Sequence, residues 1–192
     1  MHEFVKKMDS EFIRRIIADL DFQKGLDYGK PRPGHPEGEV RHHIAEVLDN
    51  VEKMAKERKL RSETITRLVL IALIHDTFKY KVDRSKPRHG QNHHGYLARK
   101  FAEGYIADPD VLEVIELHDE AFLSYQKGAR DDEWNKADAR LEQLLARLGS
   151  PEGYRLRLYY YFFKCDNETG DKESESFEWF RRKVNGKYKF DT

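Results

Sequence analysis

Nine histidines in a chain of zero formal net charge are the first chemistry to place. His43 lies three residues after Val40 and four before Val47, on the apolar stripe of a helical pattern. His75-Asp76 closes the most apolar run of the sequence. His118 comes three residues after Ile115 and four before Phe122, again on a stripe. Asp166 follows Phe162 by four and Phe163 by three in the run YYYFFKCD. Burying an unpaired imidazole or carboxylate costs several kcal/mol. Taken singly, a histidine on an apolar face reads as an ordinary core residue. Taken together, three such histidines and two carboxylates on four helices ask for a common partner. A divalent cation meets that need, because neutral imidazole and carboxylate are its ligands and its charge offsets theirs. His93 and His94 open a further helix, and the periodicity does not choose between them. His2 reads as terminal and free. His35 and His89 read as surface residues of Gly/Pro loops, and His42 as solvated or placed behind a ligand.

The elements that must position these groups read as helices nearly throughout. Residues 12–20 make a short amphipathic helix, and residues 25–38, GLDYGKPRPGHPEG, a loop. Apolar steps of three and four run from Val40 to Ala55. Ser62 is placed to cap a helix reaching about Asp76, so apolar that it should lie at the centre. Residues 78–92 are polar, basic and broken by Pro87 and Gly90, a loop long enough to carry function. Leu97 to Tyr105 give another helix. Asp108-Pro109 starts the next, with Val111, Val114, Ile115, His118 and Phe122 in line. Residues 127–133 read as a loop, Ala137 to Leu148 as a helix closed by Gly149, and Pro151 as the start of a helix through Cys165. Residues 170–176 are polar, and a short helix over 177–184 ends the pattern. No alternating strand pattern is present. The expectation is an all-α fold of roughly seven or eight helices, a single domain over 1–192 with its core at about 35–170.

Composition narrows the function classes. A chain of 192 residues buries about two-thirds of its unfolded surface and needs no disulfide staple. Lys plus Arg and Asp plus Glu are each 35, which argues against nucleic acid as a partner. Charged residues at 36% and a mean hydropathy of −0.86 give a heavily solvated surface, while 12% aromatics supply the core. The single Cys165 excludes an internal disulfide and fits a reducing compartment. The run Leu68 to Ile74 is too short to span a bilayer, and the first residues lack an apolar signal core. A cytoplasmic protein without membrane attachment is expected, of open oligomeric state.

The order His43, His75-Asp76, His93/His94, His118, Asp166 resembles the HD-domain superfamily, over about residues 35–170. HPEGEVRHHIAEVLD is similar to that family's first helix, ALIHDTFK to its His-Asp-x-x-Lys segment, DVLEVIELHDE to its late helix ending in His, and FFKCDNETGDK to its closing helix. The resemblance implies an all-α fold and a first metal held by His43, His75, Asp76 and Asp166. It implies a second metal on His118 and one of His93 or His94, with Asp76 bridging. The family's His four residues before a Gly-Ala pair aligns with Leu97-Ala98, which lacks the Gly and points to His93. Metal-assisted hydrolysis of a phosphate ester is the implied activity, the substrate being a nucleotide or another small phosphorylated molecule. One or two divalent ions would serve, among Mn, Fe, Co, Ni, Mg and Zn. Asp76 and Lys79 would be the catalytic pair, because Lys79 falls three residues after Asp76 and can turn back toward it. Lys79, Arg84 and Arg88 would bind the substrate, with Lys164 a lesser candidate. Asp119 and Glu120 are placed to accept protons or cap a helix, and Tyr28, Lys30 and Arg32 to form a lid. Two other readings stand beside this one. One is a diiron oxygenase, to whose family members HDEAF is loosely similar. The other is a non-catalytic, metal-stabilised sensor or interaction module.

Overall fold

The computed structural model describes residues 2–6, 8, 10–33, 36–149, 153–172 and 174–185. Its helices are α1 (Glu3–Lys6), α2 (Glu11–Ala18), α3 (Leu20–Leu26), α4 (Val40–Glu57), α5 (Ser62–Ile74), α6 (His94–Ala102), α7 (Pro109–Leu117), α8 (Glu120–Asp131), α9 (Trp134–Leu148), α10 (Tyr154–Asn167) and α11 (Glu175–Asn185). Short 3-10 turns cover Lys79–Lys81 and Gly90–Asn92. No strand forms among the described residues, though Gly29 and Glu39 make an isolated antiparallel bridge. The fold is all-α, as expected. The one-turn α1 and ten longer helices exceed the expected seven or eight, for identifiable reasons.

Asp19 ends α2 and restarts the chain as α3, its carboxylate accepting the N–H of Asp21 at 2.8 Å and of Phe22 at 3.2 Å. This buries Phe22 and shortens the expected 25–38 loop. The expected single helix through Phe122 is two helices, broken at His118-Asp119. Phe122 therefore leaves the apolar stripe and stands 40% exposed. Residues 127–131, expected as loop, continue α8. Gly128 sits under the Trp134 ring, where a Cβ would come within 2.1 Å of Cε3. Asp132, at φ 54°, stops the helix. Arg61 rather than Ser62 occupies the cap of α5. Pro151 lies outside the described residues, and α10 is described from Tyr154.

The buried apolar side chains form one cluster running from Val5 to Val184. Its centre is α5, α7 and α10 packed on one another, with α4 laid against α5 and α10. Leu68 to Ile74 of α5 are all buried, and α10 is buried nearly all round through Leu156, Leu158 to Phe163, and Cys165. The sequence marks α5 as the central helix, and α10 shares that place. No helix among the described residues is long and apolar enough to cross a membrane.

Candidate metal centre

The peptide His-Asp occurs at the ends of two central helices. His75 follows α5 and His118 follows α7, and each ring turns its Nδ1 to the carbonyl three residues back. The distances are 3.0 Å to Ala72 O and 2.9 Å to Ile115 O. Only an N–H can satisfy a carbonyl, so Nδ1 carries the proton and Nε2 presents its lone pair forward. His43, in the first turn of α4, has Nδ1 at 3.3 Å from Thr169 Oγ1 and 3.5 Å from Glu37 Oε1. The Thr169 hydroxyl donates to Asp166 O at 2.8 Å, so toward His43 it acts as acceptor. His94 opens α6, and Asp166 lies near the end of α10. Gly95 lets α6 approach α7 closely enough to bring His94 to His118, because a Cβ there would fall 2.3 Å from Glu116 O.

Four Nε2 atoms and two carboxylates converge. His43 Nε2 and His75 Nε2 are 3.2 Å apart, and His94 Nε2 and His118 Nε2 3.0 Å apart. Asp76 lies between the pairs. Its Oδ2 is 3.6 Å from both His43 Nε2 and His75 Nε2, and its Oδ1 is 3.3 Å from His94 Nε2 and 3.4 Å from His118 Nε2. Asp166 Oδ1 is 3.0 Å from His43 Nε2 and 4.0 Å from His75 Nε2. Two donors about 2.1 Å from one metal, at angles between the octahedral and tetrahedral values, are themselves about 3.0–3.4 Å apart. Both imidazole pairs have that spacing. The lone pairs of His75 and His118, fixed forward, face other ring nitrogens, and either a proton or a metal cation between them satisfies each pair. The residues thus fit two cation positions sharing Asp76. The first has His43, His75 and Asp166, with Asp76 Oδ2 next to them at 3.6 Å from both imidazoles, and the second has His94, His118 and Asp76 Oδ1.

Burial sets the charge states. It pushes His75 down to about 3 and His94 down to about 4, so both are neutral imidazoles ready to act as ligands. Burial also opposes charge on His118, but Asp119 and Asp76 beside it raise it to about 9. His43 is raised likewise, Asp166 and Glu37 overcoming its burial. At those two histidines a proton competes with a metal for the same lone pair. Asp76 and Asp166 resist ionisation by burial, yet Lys79 and Lys172 respectively help hold both well below the ordinary carboxylate range.

His93, His94 and Asp119 form a third group of possible ligands, but His93 is bonded differently from the four converging rings. It caps α6, its Nδ1 accepting the Gly95 N–H at 3.2 Å, so its Nε2 bears the hydrogen and points at Asp119 Oδ2, 3.4 Å away. A protonated Nε2 offers no lone pair. The family alignment points to His93, whereas the packing brings His94 to Asp76 and His118.

A cavity of about 1070 Å³ opens over this cluster. Lys79, Arg84 and Arg88 all line it, as do Tyr28, Arg32 and Asp119. Lys79 Nζ contacts Asp76 Oδ2, and Arg84 donates to Tyr28 OH at 2.6 Å. The rest of the basic segment turns away, Lys81 to Asp21 at 2.6 Å and Lys86 to Asp83 at 3.1 Å. Lys164 pairs with Glu168, and Glu120 with Arg140 at 2.8 Å. Asn92 braces the segment's base, accepting from Asp83 N at 2.9 Å and donating to Asp83 O at 2.9 Å and Pro87 O at 3.0 Å. Lys172 and Arg130 also line the cavity. Spacing does not single them out: Arg130 falls in the stretch that reads as a loop, and Lys172, although in FFKCDNETGDK, lies past the helical stripe that carries Asp166. His42 and His89 are exposed. His35 lies outside the described residues. His2 is not free, being 3.0 Å from Asp49 Oδ1, because α1 packs on α4.

Tyr159 props the break that places His118. Its hydroxyl accepts the Ala121 N–H at 3.0 Å and donates to His118 O at 3.2 Å. Tyr159→Phe leaves both buried groups without that partner, at about 1–3 kcal/mol. A domain of this size loses about 2–4 °C in Tm per kcal/mol. Melting should fall accordingly, and an unchanged Tm would show that the hydroxyl carries no structural role.

A family model described as HD domain matches residues 40–148. That is more than half of the chain, and the protein belongs to the HD-domain family. The match includes His43, His75, Asp76, His94, His118 and the basic segment, and ends before α10 and Asp166. No curated protein and no solved structure matches the chain.

Proposed function

We propose that the protein is a metal-dependent hydrolase of a phosphate ester, a nucleotide or another small phosphorylated metabolite, acting in the cytoplasm. The observation that carries this reading is Asp76, whose two oxygens each face a different pair of imidazole nitrogens. Bound divalent ions would supply water of lowered pKa and positive charge for the phosphoryl oxygens. The chain's own groups do the rest. Asp76 and the histidines hold the ions. Lys79, charged and beside Asp76, offers Nζ–H donors at the floor of the cavity to an incoming phosphoryl oxygen. Arg84 and Arg88 present guanidinium groups on the wall for an anionic part of the substrate. Tyr28 holds the Arg84 guanidinium in place.

The six-donor set also supports a second reading, a diiron oxygenase, because imidazole and carboxylate suit iron as well as manganese. Phosphate release from phosphorylated substrates under anaerobic conditions, stimulated by manganese, cobalt or nickel, is the expected result. Tight iron with oxygen consumption and no phosphate release would replace the hydrolase with the oxygenase. Lys79→Ala removes a charge-assisted hydrogen bond of about 1.5–3 kcal/mol. Its kcat/KM should fall about 10- to 100-fold with metal content unchanged. Unchanged kinetics would remove Lys79 from the site.

A further inference from the structure

The histidines of the centre are not held alike. His75 and His118 lie at helix ends and spend Nδ1–H on carbonyls of their own helices. His43 lies in the first turn of α4, where the nearby carbonyls serve the helix ladder, and its Nδ1 faces side chains. One is Thr169. The other is Glu37, 3.5 Å away, whose side chain is 3% exposed although it comes from the connecting segment before α4. A carboxylate is not carried into an apolar interior without a partner, and here the imidazole N–H supplies one. The backbone of the segment is braced on both sides of Glu37: Gly29 bridges Glu39, and Val40 N–H donates to Tyr28 O at 2.9 Å. The same segment presents Tyr28 and Arg32 to the cavity.

We infer that Glu37 is a positioning residue for the first metal position: by sharing the Nδ1–H of His43 with Thr169 Oγ1 it helps fix that ring so that Nε2 meets His75, Asp76 and Asp166. A carboxylate behind an imidazole ligand fixes its tautomer and strengthens it as a donor, and losing such a partner costs about 10- to 100-fold in metal affinity. The second position, built on His94 and His118, has no such dependence. Glu37 also links the metal centre to Tyr28 and Arg32 of the cavity wall, which precede it by nine and five residues in the chain.

This inference rests on the metal-centre reading, and the test separates the two. Metal-free wild type, Glu37→Gln and Glu37→Leu are titrated with Co2+, followed by visible absorption, and each metal-free protein is melted. Wild type should fill two positions. Glu37→Gln, which keeps an acceptor but loses the charge, and Glu37→Leu, which loses both, should each weaken one position, Leu by about 10- to 100-fold and Gln by less. The other position should keep wild-type affinity, and metal-free Glu37→Gln should melt within a few degrees of metal-free wild type. Wild-type affinity at both positions in both variants overturns the inference. So does a large fall in melting temperature with Co2+ binding intact, which would make Glu37 a packing residue. If Glu37→Leu does not fold, Glu37→Gln alone decides. A wild type that takes up no Co2+ overturns the metal-centre reading itself.

Discussion

Asp76→Ala is expected to empty both metal positions together and to lower phosphate-ester turnover by about 10³-fold or more. Each oxygen of Asp76 belongs to a different set of donors, so one substitution removes a ligand from both. The loss also removes the negative charge that draws cations into a group of buried imidazoles. Metal-ion catalysis supplies several kcal/mol, and each 1.36 kcal/mol is a factor of ten in rate. Helical content should be preserved, because Asp76 lies in the turn after α5 and its side chain caps no helix. Elemental analysis, circular dichroism and a phosphate-release assay on one preparation make the comparison. A variant with the wild-type metal content, or with wild-type turnover, contradicts the role of Asp76.

Phe162→Ala should have the largest effect on stability. Phe162 is fully buried on α10, with its ring centroid 5.1 Å from that of His75 and 6.4 Å from that of His118, edge-on to both. It forms the apolar wall behind the two histidines that end α5 and α7. Truncating a core phenylalanine costs about 3–5 kcal/mol. At about 2–4 °C per kcal/mol the metal-free protein should melt roughly 6–20 °C lower. The emptied space also frees the His75 and His118 rings, so metal affinity should fall along with stability. Thermal melts with and without added manganese measure both. A loss under about 1 kcal/mol would mean that the neighbourhood collapses onto the space and that Phe162 does not hold the rings.

Helical periodicity carried the reading where a ligand sits within a regular stripe. His43, His118 and Asp166 each stand three or four residues from buried apolar neighbours, and His75-Asp76 closes the apolar run of α5. The packing of α4, α5, α7 and α10 then brings them together. Periodicity fails where the chain departs from the helix. The stripe from Val111 to Phe122 continues through His118 and gives no sign of the break there, which depends on the Tyr159 hydroxyl, forty-one residues away from His118 in sequence. The choice between His93 and His94 needs the close approach that Gly95 allows and the cap that His93 makes. Glu37, Thr169 and Lys172 come from connecting segments, where spacing carries no orientation. Their places are set by long-range packing, as in the 126-residue separation between His43 and Thr169.

A crystal grown with Mn2+ and measured for anomalous scattering at the manganese edge tests the central claim most directly. Two peaks are predicted, one within bonding distance of His43, His75 and Asp166, the other of His94 and His118, with a different oxygen of Asp76 on each. Electron density showing these side chains satisfied by one another or by water, with no anomalous peak beside Asp76, would contradict it.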